Sequence, residues 1–212
     1  VLGHLLLHVF SSKRLYTMKK IILATGNPGK GGELNAMLKG HYSVVSQKDM
    51  KVEEVPETGT SFIENALIKA RNASLQSKLP ALADDSGLEV EALNGEPGIY
   101  SARYVREGAT DEENMTKLLL NMEHHNNRKA HFCCAMVYIK DAEDSDPIIV
   151  ERRWEGELLR EPIGKNGFGY DPIFYLHDYS CSSAQLESEM KNKISHRGQA
   201  LNDLLEELLS IE

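Results

Sequence analysis

Residues 82–90 read LADDSGLEV, and the two adjacent acids decide how the first half of the chain is drawn. The apolar run Ala81 to Ala83 has the character of a strand. On this reading the strand ends at Asp84 and Asp85, and Gly87 turns the chain. Asp and Gly favour turns, so a plain turn accounts for the acids cheaply. Two carboxylates at a strand end are also how a chain holds a hard cation such as Mg²⁺, which prefers oxygen ligands. Taken alone, the stretch favours the turn.

Working outward, residues 19–40 (KKIILATGNPGKGGELNAMLKG) predict a strand over Ile21–Ala24, a Gly-containing loop, and a helix starting near Gly31. That helix places Leu34, Met37 and Leu38 on one face. Residues 42–50 predict a second short strand. Residues 57–78 predict a strong helix: Ser61 to Glu64 matches a capping box, and Phe62, Ala66, Leu67 and Ala70 recur at helical spacing. Residues 112–125 predict another amphipathic helix. Two long strands follow, residues 130–141 and 147–159, around a polar turn at 142–147. Residues 167–176 (GFGYDPIFYL) predict a Gly-rich turn leading into a strand. The chain finishes as a helix with Leu201, Leu204, Leu205, Leu208 and Leu209 on one stripe. Early alternation of helix and strand, then a strand-rich middle, predicts an α/β domain with a mixed sheet and an inserted or second lobe.

The chain has 212 residues, 41% hydrophobic and 26% charged, which suits a globular fold with a sizeable core. Its formal net charge is -8, which opposes binding to nucleic acid. A small anionic ligand needs a local cluster of Lys and Arg, or a cation, to overcome that field. Three cysteines, Cys133, Cys134 and Cys181, form neither a disulfide framework nor a zinc pattern and suit a reducing cytoplasm. Cys133 and Cys134 read as buried strand residues. Residues 1–17 precede a natural-looking start at Met18 and read as a non-native or disordered extension. Their apolar run is too short to span a membrane.

Four stretches could carry chemistry. In TGNPGK, Thr25 to Lys30, the glycines free backbone N–H groups at a helix start, where anions bind, and Lys30 adds charge. An ordinary strand-to-helix turn explains it equally well. On the capped helix, Asn65, Lys69 and Asn72 share a polar face that a merely solvated surface would also produce. Glu57 precedes that helix, where an acid is an ordinary dipole partner. In GFGYD, an aromatic between glycines can stack on a base, or can fill a core behind a tight turn. In the short loop KNKISHRG, Lys191, Lys193, His196 and Arg197 locally reverse the sign of an acidic chain. Together these supply acids for a metal, lysines for phosphates and an aromatic for a base. Their joint presence shifts the Asp pair toward a metal site.

The stretches ATGNPGK, ETGTSFIENALIKA, ADDSGLEV, PGIYSARY, GFGYDPIF and SHRGQAL stand in the order and spacing of the inosine triphosphate pyrophosphatase family. Over about residues 18–210 the chain strongly resembles its bacterial dITP/XTP pyrophosphatase branch. The resemblance implies one domain over residues 18–212, with an elongated mixed sheet, flanking helices and two lobes around a central cleft. It implies a cytoplasmic homodimer that binds neither nucleic acid nor membrane. It implies Mg²⁺-dependent hydrolysis of ITP, dITP and XTP to the monophosphate and pyrophosphate. It makes Asp85 the general base and a metal ligand, and Glu57 a second metal ligand, while Asp84 receives no assigned role. Thr25, Gly26, Asn27, Pro28, Gly29 and Lys30 would hold the phosphates, with Lys69 adding charge and Ser86 touching substrate beside the metal. Phe168, Gly169, Tyr170, Asp171, Lys191, His196 and Arg197 would form the nucleoside side. Gly31 and Gly32 depart from the family, which usually carries a larger residue and an Arg or similar there. Each glycine costs a helix up to about 1 kcal/mol relative to Ala, so weaker binding is expected rather than loss of function. The alternatives are a Maf-like pyrophosphatase for modified pyrimidine nucleotides and a nucleotide-binding regulator without catalysis.

Overall fold

The structure is a computed structural model and describes residues 18–210. The expectation for residues 1–17 lies outside the described residues. Within the described residues seven strands form one open sheet: β1 (Lys20–Leu23), β2 (Ser43–Ser46), β3 (Ala81–Val90), β4 (Lys129–Ile139), β5 (Ile148–Leu158), β6 (Phe174–Leu176) and β7 (Cys181–Ser182). Their spatial order is β2-β1-β3-β4-β5-β6-β7. The β2/β1 and β1/β3 pairings are parallel and all others antiparallel, which is the mixed α/β sheet expected. Among the described residues five α-helices flank it: α1 (Pro28–Leu38), α2 (Phe62–Ser77), α3 (Asp111–Asn121), α4 (Ser188–Ile194) and α5 (His196–Ser210). Among the described residues, no helix is long and apolar enough to cross a membrane.

β3 overturns the strand boundary expected from its sequence. The strand does not stop at the acids but runs on to Val90. Asp84, Asp85, Ser86 and Gly87 pair in register with Met136, Ala135, Cys134 and Cys133 of β4. The antiparallel ladder satisfies the backbone throughout, and that tertiary pairing outweighs the local turn preference. Gly87 is not a turn residue either. A Cβ there would stand 2.3 Å from the Gly98 carbonyl oxygen and 2.5 Å from Ser101 Oγ. Glycine lets the 3₁₀ turn Gly98–Arg103 press against the strand.

α1 begins three residues earlier than expected. Asn27 caps it, its side chain accepting from the Gly29 and Lys30 N–H groups at 2.9 and 3.2 Å, and Pro28 fits the first turn without needing a donor. α2 is capped by Ser61, which accepts from the Glu64 N–H at 3.2 Å. The capping box is only half made, because the Glu64 carboxylate takes the Thr60 N–H and hydroxyl instead. Lys191–Gly198 is not a loop: Lys191 and Lys193 ride on α4, and His196 and Arg197 open α5.

The helices bury their apolar stripes on opposite faces of the sheet. α2 lays Ala66, Ala70 and Ala73 on Ile22, Ala24, Ala81, Ala83, Val137 and Ile139. The other face receives Leu34 and Leu38 of α1 and Leu201, Leu204 and Leu208 of α5, packed on Leu82, Met136 and Val150. Full burial of each leucine contributes about 1.5–3 kcal/mol. Leu205 is partly buried and Leu209 is 70% exposed, so the stripe is narrower than the sequence pattern predicts. Cys133 and Cys134 are buried strand residues, and burial pushes the Cys133 thiol up to about 12.

Candidate active site

Successive residues of a strand point to opposite faces, and this separates the two acids. Asp85 faces α2. Its carboxylate accepts from Asn65 Nδ2 at 3.2 Å and from Lys69 Nζ at 3.0 Å. Asn65 and Lys69 sit one turn apart on α2, so the helix delivers both to one carboxylate. Lys69 Nζ also lies 2.8 Å from Glu57 Oε1, and Arg103 Nη1 lies 3.3 Å from Glu57 Oε2. Burial alone would raise the Glu57 carboxyl, but the Lys69 ammonium beside it holds it below the usual carboxylate value. Burial likewise opposes the charge on Lys69, yet Asp85, Asp84 and Glu57 together push its proton affinity up.

Asp84 faces α5 and is completely buried. Its Oδ2 meets Arg197 Nε at 3.2 Å, the Ser86 hydroxyl at 3.3 Å and Lys30 Nζ at 3.5 Å. Burial works against ionisation, but Lys30 and Arg197 outweigh it and keep the carboxyl far below its ordinary range. Arg197 spends its other nitrogens on Glu33 and on Ser86 Oγ, the latter at 2.7 Å. Lys191 bridges Glu33 at 2.9 Å and Asp171. Asp171 in turn accepts from the Phe168 N–H and the Ser183 hydroxyl, each at 2.9 Å.

The two networks line one cleft of about 860 Å³. Thr25, Gly26, Asn27, Lys30, Glu57, Lys69, Asp85 and Ser86 line it, as do Phe168, Gly169, Tyr170, Asp171, Lys191, His196 and Arg197. Pro28 and Gly29 are not among the residues that line it. A Cβ at Gly29 would strike the Phe168 ring at 2.6 Å, so glycine lets that ring lie on the loop. Phe168 is half-buried, with Lys191 Nζ at 4.7 Å and the Arg197 guanidinium at 5.8 Å from its ring centroid. Gly167 and Gly169 both have positive φ, the turn their type predicts. The Gly169 N–H donates to Asp111 at 2.7 Å. Tyr170 is core-buried and its hydroxyl donates to the Ser101 carbonyl at 2.9 Å.

His196 is buried and stacks on Phe132, centroids 4.8 Å apart and planes 8° from parallel. Burial, with Arg197 and Lys191 adding to it, holds the imidazole neutral, so it adds no charge to the cleft. Lys193 is exposed and away from the cleft lining. Sequence reasoning gave no role to Glu33 or Arg103 and left Asn65 on a solvated face. The signals were present: Asn65 stands four residues before Lys69, Glu33 three after Lys30, and Arg103 ends the quoted stretch PGIYSARY.

Residues 21–207 match the model of the Ham1 family. The chain belongs to the Ham1 family. It is 52% identical over 194 residues to the dITP/XTP pyrophosphatase of Vibrio parahaemolyticus, covering 90% of this chain and 97% of that one. Among solved Ham1-family structures, a HAM1 protein from Coxiella burnetii superposes with a TM-score of 0.84 at 45% identity, covering 91% of this chain and all of the other. The nucleoside-triphosphatase / dITP/XTP pyrophosphatase of Mycobacterium abscessus gives 0.69 at 44% identity, covering 88% of this chain and 98% of that one.

Proposed function

We propose that the chain hydrolyses non-standard purine nucleoside triphosphates, dITP, ITP and XTP, to the monophosphate and pyrophosphate. The observation that carries this reading is the pairing of two walls in one cleft. Asp85, Glu57 and Lys69 stand on one wall, and Phe168, Lys191 and Arg197 on the other. The relatives named above, at about half identity over most of the chain, support it. No observation favours a pyrimidine substrate.

Glu57 and Asp85 are hard oxygen donors 2.8 and 3.0 Å from one ammonium, the kind of carboxylate pair that holds Mg²⁺ together with substrate phosphates. Mg²⁺ held there would neutralise phosphate charge and lower the proton affinity of water. The chain's own residues do the rest. The α1 N-terminus and Lys30 receive the phosphates. Asp85, fixed by Asn65, removes a proton from the water attacking the α-phosphorus, and pyrophosphate leaves. Lys69 stabilises the charge that develops on the phosphoryl oxygens.

Hypoxanthine and xanthine carry an oxygen at position 6, where adenine carries an amine. A donor at the His196–Arg197 end of α5 satisfies the oxygen and opposes the amine. The test is pyrophosphate release from dITP with and without Mg²⁺, then a panel of dITP, XTP, dGTP and dATP. Magnesium-dependent release with dITP and XTP far ahead of dATP is expected. Absent release defeats the reading, and equal rates across the panel defeat the selectivity.

A further inference from the structure

We propose that Arg103 is a further substrate-binding residue, one that grips the β,γ-diphosphate of the triphosphate and the pyrophosphate it becomes. The proposal rests on the pyrophosphatase reading above. Arg103 lines the catalytic wall of the cleft, 3.3 Å from Glu57 and on the far side of that carboxylate from Lys69. Its Nε reaches Glu107 at 3.2 Å, a side chain 87% exposed at the rim. An ion pair to so exposed a carboxylate is worth little and exchanges readily.

The backbone that presents Arg103 is held from three directions. The Leu88 N–H of β3 donates to Ser101 Oγ at 2.9 Å. The Tyr170 hydroxyl donates to the Ser101 carbonyl at 2.9 Å. Asn114 of α3 donates to the Ala102 carbonyl at 3.0 Å. A fixed turn that presents a guanidinium over the Tyr100 ring, 5.3 Å from its centroid, with one partner exposed at the rim, is a built anion receptor rather than a surface ion pair. On this wall two cations, Lys69 and Arg103, face three carboxylates, Glu57, Asp85 and Glu107. A diphosphate entering this half-buried cleft competes with Glu57 and Glu107 for the guanidinium, with or without a cation beside it. The planar fork of Arg then matches two phosphate oxygens. Its place beside Glu57 and Lys69, across the cleft from Phe168 and Arg197, selects the phosphate end of the substrate and not the base.

Calorimetric titration separates this from a bracing role. Inorganic pyrophosphate and inosine monophosphate are titrated into the full chain, wild type, Arg103→Gln and Arg103→Lys, once in EDTA and once in Mg²⁺. Arg103→Gln is expected to weaken pyrophosphate binding about tenfold or more in both buffers, to leave the monophosphate unchanged, and to be partly rescued in Arg103→Lys. Pyrophosphate affinity unchanged in EDTA and weakened only in Mg²⁺ overturns the proposal, because Arg103 then acts only by holding Glu57. Equal weakening of pyrophosphate and monophosphate overturns it too. If the wild type binds pyrophosphate and releases it from dITP while Arg103→Gln matches it, this proposal alone fails. A wild type that does neither removes the underlying reading as well.

Discussion

Asp84 and Asp85 share a strand and a chemistry, and their surroundings differ in one respect. Asp84 is fully buried, and its partner Arg197 is itself tied to Glu33 and Ser86, while Lys30 reaches it from the cleft. Asp85 meets Asn65, which fixes it, and Lys69, which it shares with the partly exposed Glu57. A carboxylate buried against a guanidinium that is tied elsewhere holds a framework together. One whose partners are shared can exchange them for a substrate. The strand thus places a brace and a working group one residue apart.

Asp85→Asn draws that contrast most sharply. The amide keeps the shape and loses the base, so kcat on dITP should fall about 10²–10⁴-fold. The melting temperature should stay close to that of the wild type, since Asn65 and Glu57 remain to partner the amide and Lys69. A folded Asp85→Asn with near-native turnover would remove Asp85 from catalysis.

Asp84→Ala should behave in the opposite sense. Removing one member of a buried ion pair leaves the other uncompensated and costs about 3–5 kcal/mol. Arg197 is the group left behind, only 2% exposed. Chemical denaturation should show that loss at neutral pH. The loss should shrink as pH falls below about 4, the ordinary Asp value, because a depressed folded pKa contributes stability only above the unfolded one. Losses of similar size for the two acids would erase the distinction between brace and working group.

The parts of this arrangement that could be read from the chain are those set by local pattern. α2 announces itself through Ser61 and the Phe62, Ala66, Ala70 spacing, and β4 and β5 through their apolar runs about a polar turn. The continuation of β3 past the acids could not be read, because its cause is a partner strand about fifty residues away. Nor does helical spacing say whether a polar face meets water or a cleft, which is why Asn65 looked solvated and proved fully buried. α4 has seven residues, too few for its period to show, so Lys191 and Arg197 looked like neighbours on a loop. They are instead held together by Glu33, more than 150 residues earlier in the chain.

A smaller effect concerns the α5 side, where His196 stacks on Phe132 and packs beside Trp154. Its Nδ1 has no partner, and burial with Arg197 and Lys191 nearby holds the ring neutral well below the usual histidine range. In the unfolded chain the imidazole takes up a proton near pH 6.5. The unfolded state therefore binds more protons between that value and the depressed folded one, and stability must fall as pH drops through this window. The expected slope is up to about 1.4 kcal/mol per pH unit. His196→Phe keeps the stack and removes the proton, so its stability should be flatter between pH 6.5 and 5. An unchanged slope would assign the acid sensitivity to other groups.

The smallest effect sits on α1, the helix that serves both sides of the comparison, with Lys30 reaching Asp84 and Glu33 reaching Lys191 and Arg197. Gly31 and Gly32 lie between those two residues, inside a continuous helix that Asn27 and Pro28 start. Neither glycine has a positive φ. A Cβ at Gly32 meets nothing within 4 Å, and one at Gly31 meets only Thr25 Cγ2 at 3.6 Å, an ordinary contact. Space and conformation therefore both permit alanine, and the gain is the backbone entropy that glycine forfeits on folding. Gly32→Ala should stabilise the fold by about 0.5–1 kcal/mol, measured as a shift of the denaturation midpoint without change of slope. If the double glycine loosens the phosphate side, the same variant should lower KM for dITP while leaving kcat alone, because Lys30 and Glu33 would start closer to their bound positions. A stabilised variant with unchanged KM would show that the loop is already set by the Asn27 cap, and that the two glycines weaken the helix without touching the cleft.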